Sequence, residues 1–126
     1  SIDSGATWVE QTTSGARNWS DVAVSSDGLK IIAAESGGYI YTSPDGGATW
    51  VEQTASGIYG WSHVASSADG ETLAGVINNG GVYISVDGGV VWTQQILLGD
   101  KEWNDIDISD DGITFFATEA CPGACV

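Results

Sequence analysis

Asp21, His63 and Asp105 stand 42 residues apart. Brought round one axis, carboxylates and an imidazole could hold a cation, since oxygen and nitrogen donors suit divalent ions. His63 is the only histidine. A dedicated zinc site, which wants three or four protein nitrogen or sulfur ligands, is therefore not expected. A solvated channel mouth explains the same three residues, and no metal site or cofactor is assigned from them. The acidic run Asp107, Asp110, Asp111 lacks the spacing of a calcium loop. Its last two members fit a turn better.

A second set recurs with the same offset. Arg17, Tyr59 and Lys101 occupy equivalent positions. They are followed by Asn18, Gly60 and Glu102, and then by Trp19, Trp61 and Trp103. An exposed indole can stack on a sugar ring while amide, phenol or carboxylate groups bond its hydroxyls. Arg17, Asn18, Trp19, Tyr59, Trp61, Lys101, Glu102 and Trp103 are thus the candidate ligand-binding residues. The competing role for the tryptophans is to wedge between packed layers, because aromatic side chains dominate core packing. Catalysis finds less support. Glycoside hydrolysis needs a matched acid and base, and no acidic pair is marked out by its surroundings. His63 lies near no nucleophile motif such as G-x-S-x-G.

The elements that must position these residues follow from the repeat. SIDSGATW (1–8), SPDGGATW (43–50) and SVDGGVVW (85–92) recur every 42 residues, and Asp-Gly recurs at 27–28, 69–70 and 111–112. A period near 40–50 residues indicates a propeller or similar array. Between the turns lie runs rich in β-branched and aromatic residues: DVAVSS (21–26), KIIAAE (30–35), YIYTS (39–43) and TWVEQT (49–54). No stretch sustains a helical period. The expected fold is all-β: four-stranded antiparallel meanders, strands A to D, within a single domain of three repeats (1–42, 43–84, 85–126).

S-x-D-x-G-x-x-W at a strand–strand turn resembles the Asp-box, or BNR, repeat. The first two copies follow the fuller form S-x-D-x-G-x-T-W, and the third has Val91 in place of Thr. The resemblance implies β-propeller blades with the motif in the C–D hairpin. It is seen in sialidases, some endoglucanases, sortilin-like receptors, photosynthetic assembly factors and secreted binding proteins. Sialidase chemistry, as the family implies it, needs an arginine cluster, and Arg17 is the only arginine. The Asp-box residues themselves read as structural. Asp3, Asp45 and Asp87 would staple their own turns through backbone N–H groups. Gly5, Gly47 and Gly89 would supply the backbone angles, and Trp8, Trp50 and Trp92 would cover them.

The repeat register places TWVEQT (7–12) as a D strand whose own A, B and C strands are not in the chain before it. The last unit, in turn, has A, B and C without D. Three blades should not close alone, because propellers typically hold four to eight. The expectation is a homodimer in which each copy lends its D strand to the other, giving a six-bladed ring. A nine-bladed homotrimer and a fragment of a longer array are the alternatives.

Composition narrows the partners. Seventeen acidic residues face three basic ones, a formal net charge of −14. That balance argues against nucleic acid and anionic membranes, both of which call for clustered Lys and Arg. Cys121 and Cys125 flank a Pro-Gly-Ala turn and are candidates for a disulfide, which would imply an oxidising, extracellular compartment. The functional expectation is a non-catalytic, lectin-like binding propeller with a possible glycan ligand. A structural or protein-interaction propeller without a small-molecule ligand is the alternative.

Overall fold

The structure is a computed structural model, and it describes residues 1–120. Ten strands form one curled antiparallel sheet system. In the first unit β1 (Trp19–Val24), β2 (Ile31–Gly38), β3 (Ile40–Ser43) and β4 (Val51–Gln53) pair in sequence order. The second unit repeats this with β5 (Tyr59–Ser66), β6 (Leu73–Gly80), β7 (Val82–Ser85) and β8 (Thr93–Gln94). The third contributes β9 (Lys101–Ile108) and β10 (Phe115–Glu119). Short β-branched runs give the strands, and Asp-Gly turns reverse them. Gly28, Gly70 and Gly112 close the A–B turns at positive φ, a backbone conformation that residues with a side chain resist.

Each pair of neighbouring units shares one hydrophobic layer. Ile32, Ala34 and Ile40 of the first unit pack on Trp61, Val64 and Leu73 of the second. Ala74, Val76 and Val82 of the second pack on Trp103, Ile106 and Ile108 of the third. The core therefore sits between sheets, as expected where a small sheet cannot bury its own faces. Gly75 lets the two sheets approach: a Cβ there would lie 3.0 Å from the Trp61 ring and 3.2 Å from Ile40.

Two expectations need correction. The B–C turn does more than reverse the chain. β2 runs on through Gly38, although Ser36-Gly37-Gly38 has the composition of a turn, and its end pairs with the next unit at Ser36↔Gly60 and Gly38↔Tyr59. β6 does the same at Asn78↔Glu102 and Gly80↔Lys101. Free backbone groups at the end of a B strand find partners on the neighbouring A strand, and this stitches the units together. Second, TWVEQT (7–12) is not a strand. Its residues are exposed, with Trp8 80% accessible. A strand needs a ladder partner, and among the described residues no C strand pairs with this segment.

The segment is nonetheless held in D-strand position. A Cβ placed on Gly47 would meet the Gln11 side chain at 3.4 Å, just as one on Gly89 would meet Gln53 at 3.4 Å. Thr13 Oγ1 donates to the Gly47 carbonyl at 2.9 Å. Gln11 takes φ −91°, ψ 81°, against −88°, 80° at Gln53 and −85°, 75° at Gln95. Each is followed by the same single 3-10 turn, at Thr12–Ser14, Thr54–Ser56 and Ile96–Leu98. The N-terminal segment thus has the backbone course of a D strand leaving its sheet, without the sheet.

Candidate functional site

The three S-x-D-x-G-x-x-W turns share one hydrogen-bond pattern. Asp3 Oδ1 accepts from Thr7 N–H at 2.9 Å, Asp45 Oδ1 from Thr49 N–H at 2.8 Å, and Asp87 Oδ1 from Val91 N–H at 2.9 Å. The motif serines accept from the N–H of Gly5, Gly47 and Gly89 at 2.8, 2.8 and 2.9 Å. Trp50 and Trp92 donate their indole N–H to the carbonyls of Gly47 and Gly89. Bonds from Thr7 hold the Asp3 carboxyl down at about 2, and bonds from Thr49 and Val91 lower Asp45 and Asp87. Carboxylates spent this way are turn staples, with their acceptors used on backbone rather than offered to a ligand.

Sequence reasoning missed a second staple. At the A–B turns Ser25, Ser67 and Ser109 donate to Asp27, Asp69 and Asp111 at 2.6, 2.6 and 2.5 Å. The same hydroxyls accept from Lys30, Thr72 and Thr114 N–H. The signal was present as S-x-D-G at the same register in every unit. Only its Asp-Gly half was used.

The candidate ligand residues do not form one site. Trp61 and Trp103 are buried in the inter-unit layers, and Trp19 is half-buried. Trp19 and Trp61 each centre an aromatic cluster within their own unit. Trp19 meets Tyr41 at 5.3 Å and Trp50 at 6.1 Å between ring centroids. Trp61 meets Tyr83 at 5.3 Å and Trp92 at 6.1 Å. Asn18 is exposed on the loop before β1, Glu102 is exposed on β9, and Tyr59 packs on Tyr83 at 5.6 Å. Burial, then its hydrogen bond to Tyr59, pushes the Tyr83 phenol up to about 12. Burial raises Tyr41 too, helped by its bond to Glu52.

Both cations are engaged. Arg17 lies 3.6 Å from Glu35 and 4.4 Å over the Tyr41 ring. Lys101 lies 2.5 Å from Glu119 and 5.4 Å over the Trp103 ring. Positions 35, 77 and 119 are equivalent, and in the second unit Tyr59 takes the place of the cation and Ile77 that of the acid. The two positions change together, from oppositely charged to uncharged and back, and each cation has an acidic partner within its own unit.

Asp21, His63 and Asp105 do come together. His63 Nδ1 is 3.5 Å from Asp21 Oδ2 and 4.0 Å from Asp105 Oδ1. Asp21 Oδ1 accepts from its own neighbour Val22 N–H, and Asp105 Oδ1 from Ile106 N–H. His63 replaces the acceptor this position otherwise supplies, and Asp21 Oδ2 reaches across to take Val64 N–H at 2.9 Å. Among the described residues no group of three or more His, Cys, Asp or Glu could hold a metal ion. The disulfide candidates Cys121 and Cys125 lie outside the described residues.

The fold has clear relatives among solved structures. The chain is similar to the GH74 xyloglucanase from Xanthomonas campestris, with TM-score 0.62 and 17% identity over 86% of this chain and 21% of that one. A GH74 enzyme from Niastella koreensis matches with TM-score 0.60 and 22% identity, over 83% and 18%. YCF48 from Cyanidioschyzon merolae matches with TM-score 0.57 and 20% identity, over 79% and 36%. These are β-propellers, so the curled sheet system is propeller-like and its units correspond to blades. The chain spans well under half the length of each. No family model and no curated protein matches the sequence.

Proposed function

We propose that this chain is a non-catalytic β-propeller interaction module that completes its ring with a second copy, three blades from each and D strands exchanged. One observation carries the reading: residues at the same repeat position are buried inside the array and bare at its two open faces. Val64 and Ile106 are each 5% exposed, whereas Val22 at the same position on the first blade is 63% exposed. On the opposite face, Ile32 and Ala74 are 1% and 0% exposed, whereas Phe116 is 68% exposed. A repeat array normally ends in polar caps. Here both faces are apolar, and each is the complement of the other by the rule that joins the inner blades.

The rest of the molecule supports a binding rather than an enzymatic role. The regularly placed aspartates are engaged by turn backbone, and the histidine lies between two carboxylates that also serve backbone N–H groups. Diverging loops on a rigid scaffold are where partners usually bind, and the D–A loops are where the blades differ most. The buried indoles and paired cations favour a protein partner there over a sugar. A solved structure titled as YCF48 bound to D1 peptide, similar with TM-score 0.58 and 18% identity over 80% of this chain and 40% of that one, is an example of such use.

Light scattering on the 126-residue chain tests the assembly. The expected mass is twice 13.0 kDa, and a compact 13.0 kDa particle at all concentrations refutes it. A glycan array separates the two uses of the rim. No hit is expected. A hit abolished by Asn18→Ala and Glu102→Ala would replace the protein-interaction reading with a lectin.

A further inference from the structure

Each complete blade holds three aromatic residues on one face: Trp19, Tyr41 and Trp50 in the first, Trp61, Tyr83 and Trp92 in the second. In the third blade the described residues supply only Trp103 of this repeat-equivalent set. Beside it lies a cavity of about 540 Å³, lined by Val82, Ile84, Leu97, Trp103, Phe115 and Ala117 among others. The corresponding layer between the first two blades is filled by Tyr83 and Trp92 packing onto its core. Trp103 also differs from its counterparts in hydrogen bonding. Trp19 and Trp61 donate their indole N–H to the carbonyls of Gly15 and Gly57 at 3.4 and 3.3 Å. Among the described residues the buried Trp103 N–H has no partner.

Resting on the assembly proposed above, the geometry points to a specific occupant: we infer that the cavity beside Trp103 is a receptor slot for Trp8 of a second copy. Three features select that residue. By repeat position, the described third cluster lacks counterparts of both Tyr83 and Trp92, and the second of these is a tryptophan that opens a D strand, as Trp50 also does. Trp8 is that residue by type and register, and its ring stands 80% exposed. The segment that carries it already follows the backbone course of a D strand, anchored to Gly47 through Gln11 and Thr13, so little ordering cost remains on docking. The volume of about 540 Å³ is sufficient for an indole, the largest side chain. In the filled slot Trp8 stacks on Trp103 with the tilted spacing of 6.1 Å seen in the other two blades. The tryptophan is then the anchor of the interface rather than one contact among many, a role buried aromatics commonly take.

The test replaces Trp8 with the photo-crosslinker p-benzoylphenylalanine and mixes isotope-labelled with unlabelled full chains. Irradiation should give covalent dimers of mixed label, joined at residues 94–98, 103 or 115–117. Trp8→Ala should raise the dimer dissociation constant roughly 10²–10³-fold, two anchors being lost per ring, and Trp8→Phe should recover part of it. Trp8 touches little in the single copy, so circular dichroism should not change. If the unmodified chain is a 13.0 kDa monomer, the assembly fails and the slot with it. If the chain is a dimer but crosslinks map elsewhere, or Trp8→Ala leaves the dissociation constant unchanged, the slot alone is overturned.

Discussion

Consider Val22→Asp. In a single copy Val22 is 63% exposed, so the substitution should alter monomer stability by no more than about 0.5 kcal/mol, as surface changes usually do. In a closed ring the position becomes equivalent to Val64 and Ile106, each 5% exposed. An unpaired carboxylate buried there costs several kcal/mol, taken as about 3. A two-fold ring contains the site twice, giving about 6 kcal/mol against assembly and roughly 10⁴-fold weaker dimerisation at about 1.4 kcal/mol per decade. Sedimentation equilibrium over a wide concentration range reads that shift, with far-UV circular dichroism confirming that the sheet persists. Val64→Asp is the internal control. It places the same charge inside the first layer and should unfold the chain at any concentration. A Val22→Asp chain that dimerises as tightly as the parent would refute the claim that this face is covered.

Three further outcomes follow from the same geometry. Ser43 is buried and accepts from the buried N–H of Gly47, so Ser43→Ala should lower the urea unfolding free energy by about 1–3 kcal/mol, the cost of orphaning a buried donor. Asp3, Asp27, Asp45, Asp69, Asp87 and Asp111 all titrate below the ordinary 3.8, chiefly through hydrogen bonds from Ser, Thr and backbone N–H. Depressed carboxyls stabilise the fold above about pH 4 and lose that contribution as pH falls through their folded values; the urea midpoint should drop steadily from pH 4 to pH 2.5, and a flat midpoint would contradict the staple assignment. In a double-mutant cycle, Arg17→Tyr with Glu35→Ile should show a coupling of about 0.5–1 kcal/mol, the scale of partly exposed ion pairs and their apolar replacement, while additivity would mean the two positions do not act as a pair.

Much of this fold was legible because the sequence repeats. Period, strand order and the S-x-D-x-G-x-x-W turns could be read from residues such as Asp45, Gly47 and Trp50, whose partners lie within four or five positions. Local chemistry of that kind leaves a local trace. The layers between blades were legible only in outline. The burial of Trp61 against Ile40, or the pairing of Arg17 with Glu35, depends on register between strands, and β-bulges at Trp19/Asp21 and Trp61/His63 shift that register by a residue. No turn signal announces such a bulge. The bridge from Ser36 and Gly38 to the next blade was hidden for another reason. SGG carries the composition of a turn, and only the proximity of Tyr59 and Gly60 makes it strand. For the N-terminal segment, the sequence shows a strand because side-chain pattern encodes which face is apolar. It does not encode whether a ladder partner is present.

The two serine–aspartate clamps in each unit have a consequence for how the molecule is made. Every bond in them links residues no more than five apart, so both hairpins can be set as soon as a short length of chain leaves the ribosome. Sheets would be prefabricated one by one, and the slow step would be their stacking. Loop closure over so few residues is fast. A nascent polypeptide with its turns already locked has fewer ways to pair its strands wrongly with those of a neighbouring repeat of nearly the same sequence.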